Sequence, residues 1–225
     1  MAESYGAPLY VYSDGALRAN ARRFKTALAP LDIEICYAVK ANGALRAVGA
    51  TAAVAIRVNP DVAAGGHEKI STGKAGDKFG VSLDAAAALW PRLAALDGVA
   101  PRGLAIHIGS QIADAEKFSA AFERLSALAD GLRDPAPAEL DLGGGFGVDY
   151  GDGRAINLDA YLAVARRWFG HGRYALTVEP GRALTSNAGA LLTRVVRWKR
   201  DGGRDFMIVD AAMSDFLRPA LYGAS

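Results

Sequence analysis

A lysine stands at the end of a short apolar run of this sequence, where an amine can become a nucleophile. Lys40 follows residues 33–39, which read Ile-Glu-Ile-Cys-Tyr-Ala-Val. Apolar neighbours desolvate an ammonium group and lower its pKa, so the free amine becomes available to form a Schiff base with a carbonyl. Taken alone, the segment also fits a lysine whose aliphatic stem lies on apolar surface while its amine reaches water.

A glycine-rich segment follows a second apolar run. Gly143, Gly144 and Gly145 come directly after the Leu-Asp-Leu of residues 140–142. Glycine lets backbone N–H groups approach an anion closely, which suits a phosphate. The segment is not a dinucleotide fingerprint, because Val148 stands where that motif needs its third glycine and the motif belongs to the first strand–helix turn. A tight turn would use the same residues.

A glutamate and an arginine follow a third apolar run, in the sequence Glu179-Pro-Gly181-Arg182. In barrels the phosphate site is commonly built from the loops after the last two strands, and these residues and the glycine segment occupy those positions in chain order. A carboxylate such as Glu179 can keep a cofactor's pyridine nitrogen protonated, and the planar fork of Arg182 suits a phosphate or a carboxylate. Being three residues apart, Glu179 and Arg182 also fit a simple ion pair.

A histidine and a serine come after the apolar segment 103–106, as His107 and Ser110. A lone histidine is usually structural, and this segment by itself assigns neither residue a role. The His67-Glu68 pair does not begin a zinc-protease motif, because the fourth residue after His67 is Ser71.

Strands and helices that alternate along the chain must position these groups. Apolar runs predict strands at residues 33–39, 54–58, 103–108, 140–142 and 175–178, with helical patterns between them. Two helical faces are predicted, one formed by Leu17, Ala21, Phe24 and Leu28 and one by Phe118, Phe122, Leu125, Ala129 and Leu132. Ser13 and Asn157 are expected to cap helices. The polar clusters all follow strand ends, which favours an α/β fold with a closed parallel barrel over a doubly wound sheet.

Composition narrows the class of protein. The 225 residues are 51% hydrophobic and 22% charged with a net charge of +2, which is ordinary globular composition without the basic tract of a nucleic-acid-binding protein. No apolar stretch approaches membrane-spanning length. The one cysteine, Cys36, cannot form a disulfide framework, which fits a reducing compartment. We therefore expect a cytoplasmic protein without nucleic-acid or membrane partners.

Taken together, seven segments resemble the successive blocks of the diaminopimelate decarboxylase family, from about Pro8 to Tyr222. They are YAVKAN, RVNPD, HEKISTG followed by KFG, HIGSQI, DLGGGFG, EPGR and DAAMSDFLRPALY. The resemblance implies a TIM-like (β/α)8 barrel that binds pyridoxal 5'-phosphate (PLP). It also implies decarboxylation of meso-2,6-diaminopimelate to L-lysine and carbon dioxide, the last step of lysine biosynthesis.

The resemblance implies a role for each matching residue. Lys40 resembles the lysine that carries PLP, His107 the histidine stacked on its ring, and Glu179 the acid at its pyridine nitrogen. Residues that resemble the phosphate-binding group are Ser110, Gly144, Gly145, Gly181 and Arg182. Residues that resemble those gripping the substrate's carboxylates are Arg182, Arg218 and Tyr222. The family also implies a homodimer whose subunits share their active sites.

Two alternatives stay open, a related decarboxylase of another basic amino acid and a non-catalytic PLP-binding homologue. The KISTG segment argues against the first. We assign residues 1–225 to one PLP-binding barrel domain that is incomplete, because Lys40 and Arg57 are only 17 residues apart where the family has several βα units. We expect an internal segment to be missing between about residues 42 and 52, and the family's C-terminal β-domain to be missing after residue 225.

Overall fold

The computed structural model describes residues 1–35, 52–62, 79–151 and 153–217. Lys40, Arg218 and Tyr222 lie outside these ranges. The contacts divide the chain into two compact units, Asn20–Leu184 and a second unit made of Met1–Ala19 with Thr185–Ser225. The sequence alone predicts one barrel domain over residues 1–225.

A parallel sheet of six strands organises the larger unit. Its strands are β2 (Glu34–Ile35), β3 (Ala52–Asn59), β4 (Val81–Ser82), β5 (Val99–Ile106), β6 (Glu139–Asp141) and β7 (Ala175–Val178). They hydrogen-bond in the order β2-β7-β6-β5-β3-β4, and all of these pairings are parallel. The expected α/β class with a parallel sheet is confirmed.

The position of β2 shows how this sheet curves. β2 is the first strand of the sheet along the chain, yet it pairs with β7, the last, through Glu34 with Thr177 and Ile35 with Val178. A first strand beside a last strand is how parallel strands close into a ring, whereas an open doubly wound sheet ends on an edge. The order therefore has the topology of a barrel.

Helices cover the outer face of the sheet. Those of the larger unit and its borders are α2 (Asp14–Leu28), α3 (Leu83–Ala94), α4 (Ser119–Gly131), α5 (Leu158–Phe169) and α6 (Arg182–Thr185). Asn157 caps α5 as predicted, accepting hydrogen bonds from the N–H groups of Asp159 and Ala160. Ser13 accepts from the N–H of Ala16 at the start of α2, as expected.

The two predicted helical faces have different outcomes. All five members of the Phe118 face are buried, so that prediction is confirmed. The predicted face of α2 is only partly right, because Phe24 and Leu28 are buried but Ala21 is exposed. Asn20 takes its place, since its amide donates to the carbonyl of Leu184 at 2.8 Å and so satisfies a buried polar group.

An aromatic cluster joins the helices to the glycine segment. Phe146, just after the three glycines, packs edge-on against Phe24 and Tyr161, with ring centroids 5.2 and 5.0 Å apart. Phe118 contacts Tyr161 edge-on at 5.0 Å. These rings are almost completely buried, so the helix core anchors the loop that carries Phe146.

The smaller unit contains a short helix, α1 (Ala2–Tyr5), and two antiparallel strand pairs. Its strands are β1 (Leu9–Tyr12), β8 (Gly189–Leu192), β9 (Val195–Asp201) and β10 (Arg204–Val209). β1 pairs with β8, and β9 pairs with β10 as a hairpin. The apolar pattern of the sequence does not predict these strands. Within the described part of the chain, no helix is long and apolar enough to cross a membrane.

Candidate active site

Strand register aligns four residues in one row across the barrel interior. Arg57 on β3 lies opposite Ala105 on β5, Ala105 lies opposite Asp141 on β6, and Asp141 lies opposite Thr177 on β7. Successive residues of a strand point to opposite faces, so the neighbours of this row point outward. Those neighbours are buried apolar residues under the helices, namely Ile56, Val58, Leu104, Ile106, Leu140, Leu176 and Val178.

Two residues further along each strand comes a second row on the same face. It consists of Asn59, His107, Gly143 and Glu179, at the carboxyl ends of the strands. The N–H of Glu179 donates to the carbonyl of Gly143 at 2.9 Å, so the ends of β7 and β6 are joined at this level. His107 and Glu179 are both half-buried. A basic ring and a carboxylate thus lie in one layer at the mouth of the barrel.

A backbone N–H determines the protonation of His107. The N–H of Gly144 donates to Nδ1 of His107 at 3.3 Å, which requires a lone pair on that nitrogen. Burial lowers the pKa of His107, the positive charge of Arg57 lowers it further, and a hydrogen bond with the backbone of Gly109 raises it. The imidazole is therefore neutral near pH 7, with its proton on Nε2, and is suited to lie against a flat ring.

Close backbone contacts explain two of the predicted glycines. A Cβ on Gly144 would lie 2.2 Å from the carbonyl oxygen of Glu179 and 3.6 Å from Cε1 of His107. Gly145 has φ +87°, and a Cβ there would lie 2.1 Å from the carbonyl oxygen of Gly109. Such distances leave no room for a side chain. The loops after β5, β6 and β7 are therefore in direct backbone contact.

Two groups that sequence reasoning missed lie in the lower row. Burial lowers the pKa of the Arg57 guanidinium, while the carboxylates of Glu179 and Asp141 raise it. Burial raises the pKa of Asp141 to about 6, with a further rise from Glu179 and opposing effects from the Gly143 N–H and Arg57. Gly143 donates that hydrogen bond at 2.8 Å. The guanidinium also lies 5.3 Å from the ring centre of Phe79, a cation–π contact.

The signal for both missed groups was a charged residue inside an apolar strand. Arg57 interrupts Ala52–Asn59, and Asp141 stands between two leucines. A charge at such a position points either to solvent or into a polar interior, and strand parity alone does not distinguish the two. The barrel interior therefore contains the cation of Arg57, the carboxyl groups of Asp141 and Glu179, and the neutral ring of His107.

The remaining predicted site residues are spread along the loops. Ser110 lies in the loop after β5, three residues beyond His107. Gly181 is exposed, and Arg182 begins α6 and is half-buried. Glu179 and Arg182, both described, form no ion pair within 4.0 Å, so the alternative of a simple Glu–Arg pair is wrong. Lys40, Arg218 and Tyr222 lie outside the described residues and stay predictions.

These residues fit a phosphorylated pyridine cofactor. Among the described groups, no hydrogen bond uses the N–H of Gly145 or of Gly181, so two backbone donors on adjacent loops remain for an anion. A carboxylate at the strand end and a neutral imidazole in the same layer supply partners for a protonated ring nitrogen and for a ring face. The donor set therefore matches PLP in charge and in hydrogen bonding.

Comparison with known proteins identifies the class. The model of the pyridoxal-dependent decarboxylase pyridoxal-binding domain matches residues 44–186. A diaminopimelate decarboxylase from Neisseria meningitidis is 34% identical over 298 aligned positions, covering 100% of this chain and 73% of that protein. The enzyme of the same name from Pseudomonas aeruginosa is 36% identical over 299 positions, covering 100% of this chain and 72% of that protein.

A solved structure agrees. The diaminopimelate decarboxylase of Helicobacter pylori, complexed with L-lysine, superposes with a TM-score of 0.88 at 25% identity, covering 99% of this chain and 75% of that one. This chain belongs to the pyridoxal-dependent decarboxylases, lyases that use PLP. The Neisseria meningitidis, Pseudomonas aeruginosa and Helicobacter pylori proteins to which it is similar are diaminopimelate decarboxylases. The predicted family, enzyme class, cofactor and barrel fold are confirmed.

Proposed function

We propose that this protein removes carbon dioxide from meso-2,6-diaminopimelate to give L-lysine, the last step of lysine biosynthesis. The observation that carries the proposal is the second row of residues, at the mouth of the barrel. There the neutral ring of His107 and the carboxylate of Glu179 lie in one layer with the glycine loop. The names of the relatives at 34% and 36% identity support the substrate. PLP, when bound, supplies a ring that accepts the electrons of the breaking carbon–carbon bond.

Each residue of the site then has a physical task. Lys40 holds the cofactor covalently. His107, uncharged, would contact the cofactor ring and exclude water from it without adding a positive charge there. Glu179 retains a proton at the ring nitrogen, which strengthens the ring's electron demand. Arg57 places a compensating positive charge beneath Glu179, which limits the cost of burying a carboxylate there.

The phosphate and the substrate carboxylates are assigned to two groups of residues that share Arg182. We assign the phosphate to Ser110, Gly144, Gly145, Gly181 and Arg182, with the open N–H groups of Gly145 and Gly181 as support. The substrate carboxylates are assigned to Arg182, Arg218 and Tyr222, on the resemblance of their segments to the family. Arg182 is assigned to both groups, since it comes three residues after Glu179, at the start of α6.

The substrate assignment is tested by carbon dioxide release. The purified protein with PLP should release carbon dioxide from meso-diaminopimelate and not from L-lysine, L-ornithine or L-arginine. Release from one of the latter would establish the alternative of a related basic amino-acid decarboxylase. PLP binding without release from any of them would establish a non-catalytic homologue.

The attachment of the cofactor is tested separately. Borohydride reduction of the PLP-loaded protein, followed by peptide mapping, should place the pyridoxyl group on the peptide that contains Lys40. A pyridoxyl group on Lys69, Lys74 or Lys78 would contradict the assignment of Lys40, because these lysines belong to a different segment of the sequence.

We also propose that the chain lacks an internal part of the family barrel, between about residues 42 and 52. In support, the alignment to the Neisseria meningitidis protein spans 298 positions against 225 residues here, a difference of 73. About 30 residues form one βα unit of a 250-residue barrel, so the difference equals roughly two to three units. Insertion of the relative's segment at this point should raise solubility and activity, and no change would contradict the proposal.

We further propose a cytoplasmic homodimer with shared active sites. The family resemblance supports the dimer, and the single cysteine supports a reducing compartment. Sedimentation should give twice the protomer mass. Sedimentation at the mass of a single protomer would contradict the dimer.

A further inference from the structure

Gln111 forms a two-point contact between the loop after β5 and the glycine loop. Its side-chain amide donates from Nε2 to the carbonyl of Val148 at 3.1 Å, and its Oε1 accepts from the N–H of Val148 at 3.0 Å. Its backbone has φ +59°, a left-handed conformation that is strained for a residue other than glycine. The two hydrogen bonds compensate for that strain.

The same two loops are joined by a backbone bridge one residue away. Ile112 donates to the carbonyl of Gly145 and accepts from the N–H of Gly147, both at 2.9 Å, in a parallel bridge between Ile112 and Phe146. The side-chain amide of Gln111 adds one more pair of hydrogen bonds between the two loops. It supplies the donor and the acceptor that a backbone peptide group would supply. Asparagine is one methylene shorter, glutamate cannot donate and lysine cannot accept.

The two contacts lie on either side of the predicted phosphate groups. At one end of the β5 loop, His107 accepts from the N–H of Gly144 at 3.3 Å. At the other end, Gln111 is bonded to Val148. Ser110 lies between these two attachments, and Gly145 lies between their partners. These two attachments, together with the Ile112 bridge, hold the segment that carries Ser110 against the segment that carries Gly145.

We propose that Gln111 is a positioning residue that holds the two loops at the separation a phosphate monoester requires. It contacts the backbone of Val148 and acts on the ligand only through Ser110 and Gly145. The inference rests on the proposed PLP site and goes beyond it, because it assigns a residue that none of the cofactor-binding predictions include. It predicts an effect on the phosphate and none on the rest of the cofactor.

The test compares PLP with pyridoxal, which has the same ring and aldehyde but no phosphate. Gln111→Met removes both side-chain hydrogen bonds at similar volume, and Gln111→Asn keeps an uncharged amide that is one methylene shorter. Each lost bond should weaken PLP binding by about fivefold, so Gln111→Met should bind PLP at least tenfold more weakly. The affinity for pyridoxal should stay within about twofold of the parent protein's value, because pyridoxal lacks the phosphate that is assigned to Ser110 and Gly145. The readout is the absorbance of the bound aldehyde during titration.

Trp90→Phe is the matched control. It also removes one side-chain–backbone hydrogen bond, from Nε1 of Trp90 to the carbonyl of Pro135 at 2.7 Å, at the opposite end of the strands. It should lower the melting temperature without changing the ratio of PLP to pyridoxal affinity. A Gln111→Met protein that loses both ligands equally would show a structural role only, and one that binds PLP normally would also overturn the proposal.

Two further results keep the inference separate from the proposed function. If the unaltered protein binds neither PLP nor pyridoxal, the proposed function fails first. If Gln111→Met does not fold, Gln111→Asn decides the question, because it stays polar and adds no charge near the phosphate. Selective loss of PLP by Gln111→Asn supports the proposal, and an unchanged ratio overturns it. The phosphorus NMR signal of bound PLP should also shift in Gln111→Asn, since the phosphate surroundings change.

Discussion

The N–H of Gly144 donates to Nδ1 of His107 across 3.3 Å, so the loop after β6 determines which nitrogen of a ring on β5 carries the lone pair. The same glycine lies against the carbonyl of Glu179, where a Cβ would come within 2.2 Å. Gly144 thus lies against both the neutral ring of His107 and the backbone of Glu179. This relationship exists only because three strand ends meet at the mouth of the barrel.

Arg57 should control the titration of His107. Its positive charge lowers the pKa of His107, so Arg57→Met should raise that pKa, whereas Arg57→Lys, which keeps the charge, should leave it closer to the parent value. Nitrogen-15 NMR of the imidazole measures both the pKa and the protonated nitrogen. Among the described residues, Arg57 itself interacts with the carboxylates of Glu179 and Asp141. An unchanged pKa in Arg57→Met would show that burial alone keeps the ring neutral.

Asp141 should reduce stability as the pH rises. Its folded pKa of about 6 lies above the ordinary 3.8, so its contribution is favourable below about pH 4 and is lost as the pH rises through about 6. Asp141→Asn does not titrate. The free energy of unfolding of Asp141→Asn, relative to that of the parent protein, should therefore rise by about 2 to 3 kcal/mol between about pH 3.5 and pH 7. This value follows from about 1.4 kcal/mol for each unit by which the folded pKa exceeds the ordinary pKa. Urea unfolding across this pH range measures the gain, and a constant difference would contradict the raised pKa.

Gly144→Ala should disrupt the site and lower stability. The added methyl group meets the backbone carbonyl of Glu179, which cannot move without shifting β7, so we expect a loss of about 2 kcal/mol or more. Gly131→Ala is the control, since a Cβ there meets nothing within 4 Å and lies at the end of α4. It should be neutral or slightly stabilising. The melting temperatures of both variants, measured with and without PLP, test this difference. Equal changes in melting temperature would contradict the close packing of Gly144 against Glu179.

Glu179→Gln should retain PLP and lose most of the decarboxylation. An amide cannot favour a protonated ring nitrogen, so we expect turnover to fall by about 100-fold while PLP affinity changes little. Glu139→Gln makes the same chemical change on β6, where Glu139 is exposed and pairs with Arg102 at 3.4 Å. Turnover of that control should match the parent protein. Near-normal turnover in Glu179→Gln would make Glu179 a structural residue.

Local pattern predicted the elements whose side chains are sorted by burial. The strand expected at residues 175–178 is β7, and the Phe118 face is completely buried, because burial against helices requires the apolar periodicity that the pattern detects. Asn157 could be recognised as a cap because capping depends on neighbours within three residues. The hairpin β9–β10 was missed because its residues are almost all exposed, so no alternation of apolar and polar residues marks it.

The sequence by itself determined which residue types stand at strand ends, and with the family motifs this identified Glu179, His107 and the glycine loop. Only the tertiary structure decided how they act on one another. The parallel register of β3, β5, β6 and β7 brings Arg57 and Asp141 beneath that layer from positions 84 residues apart in the chain. The neutral state of His107 and the contact of Gln111 with Val148 likewise depend on pairs 37 residues apart. The barrel fold brings these distant residues into contact, and the local preferences of each segment do not specify such contacts.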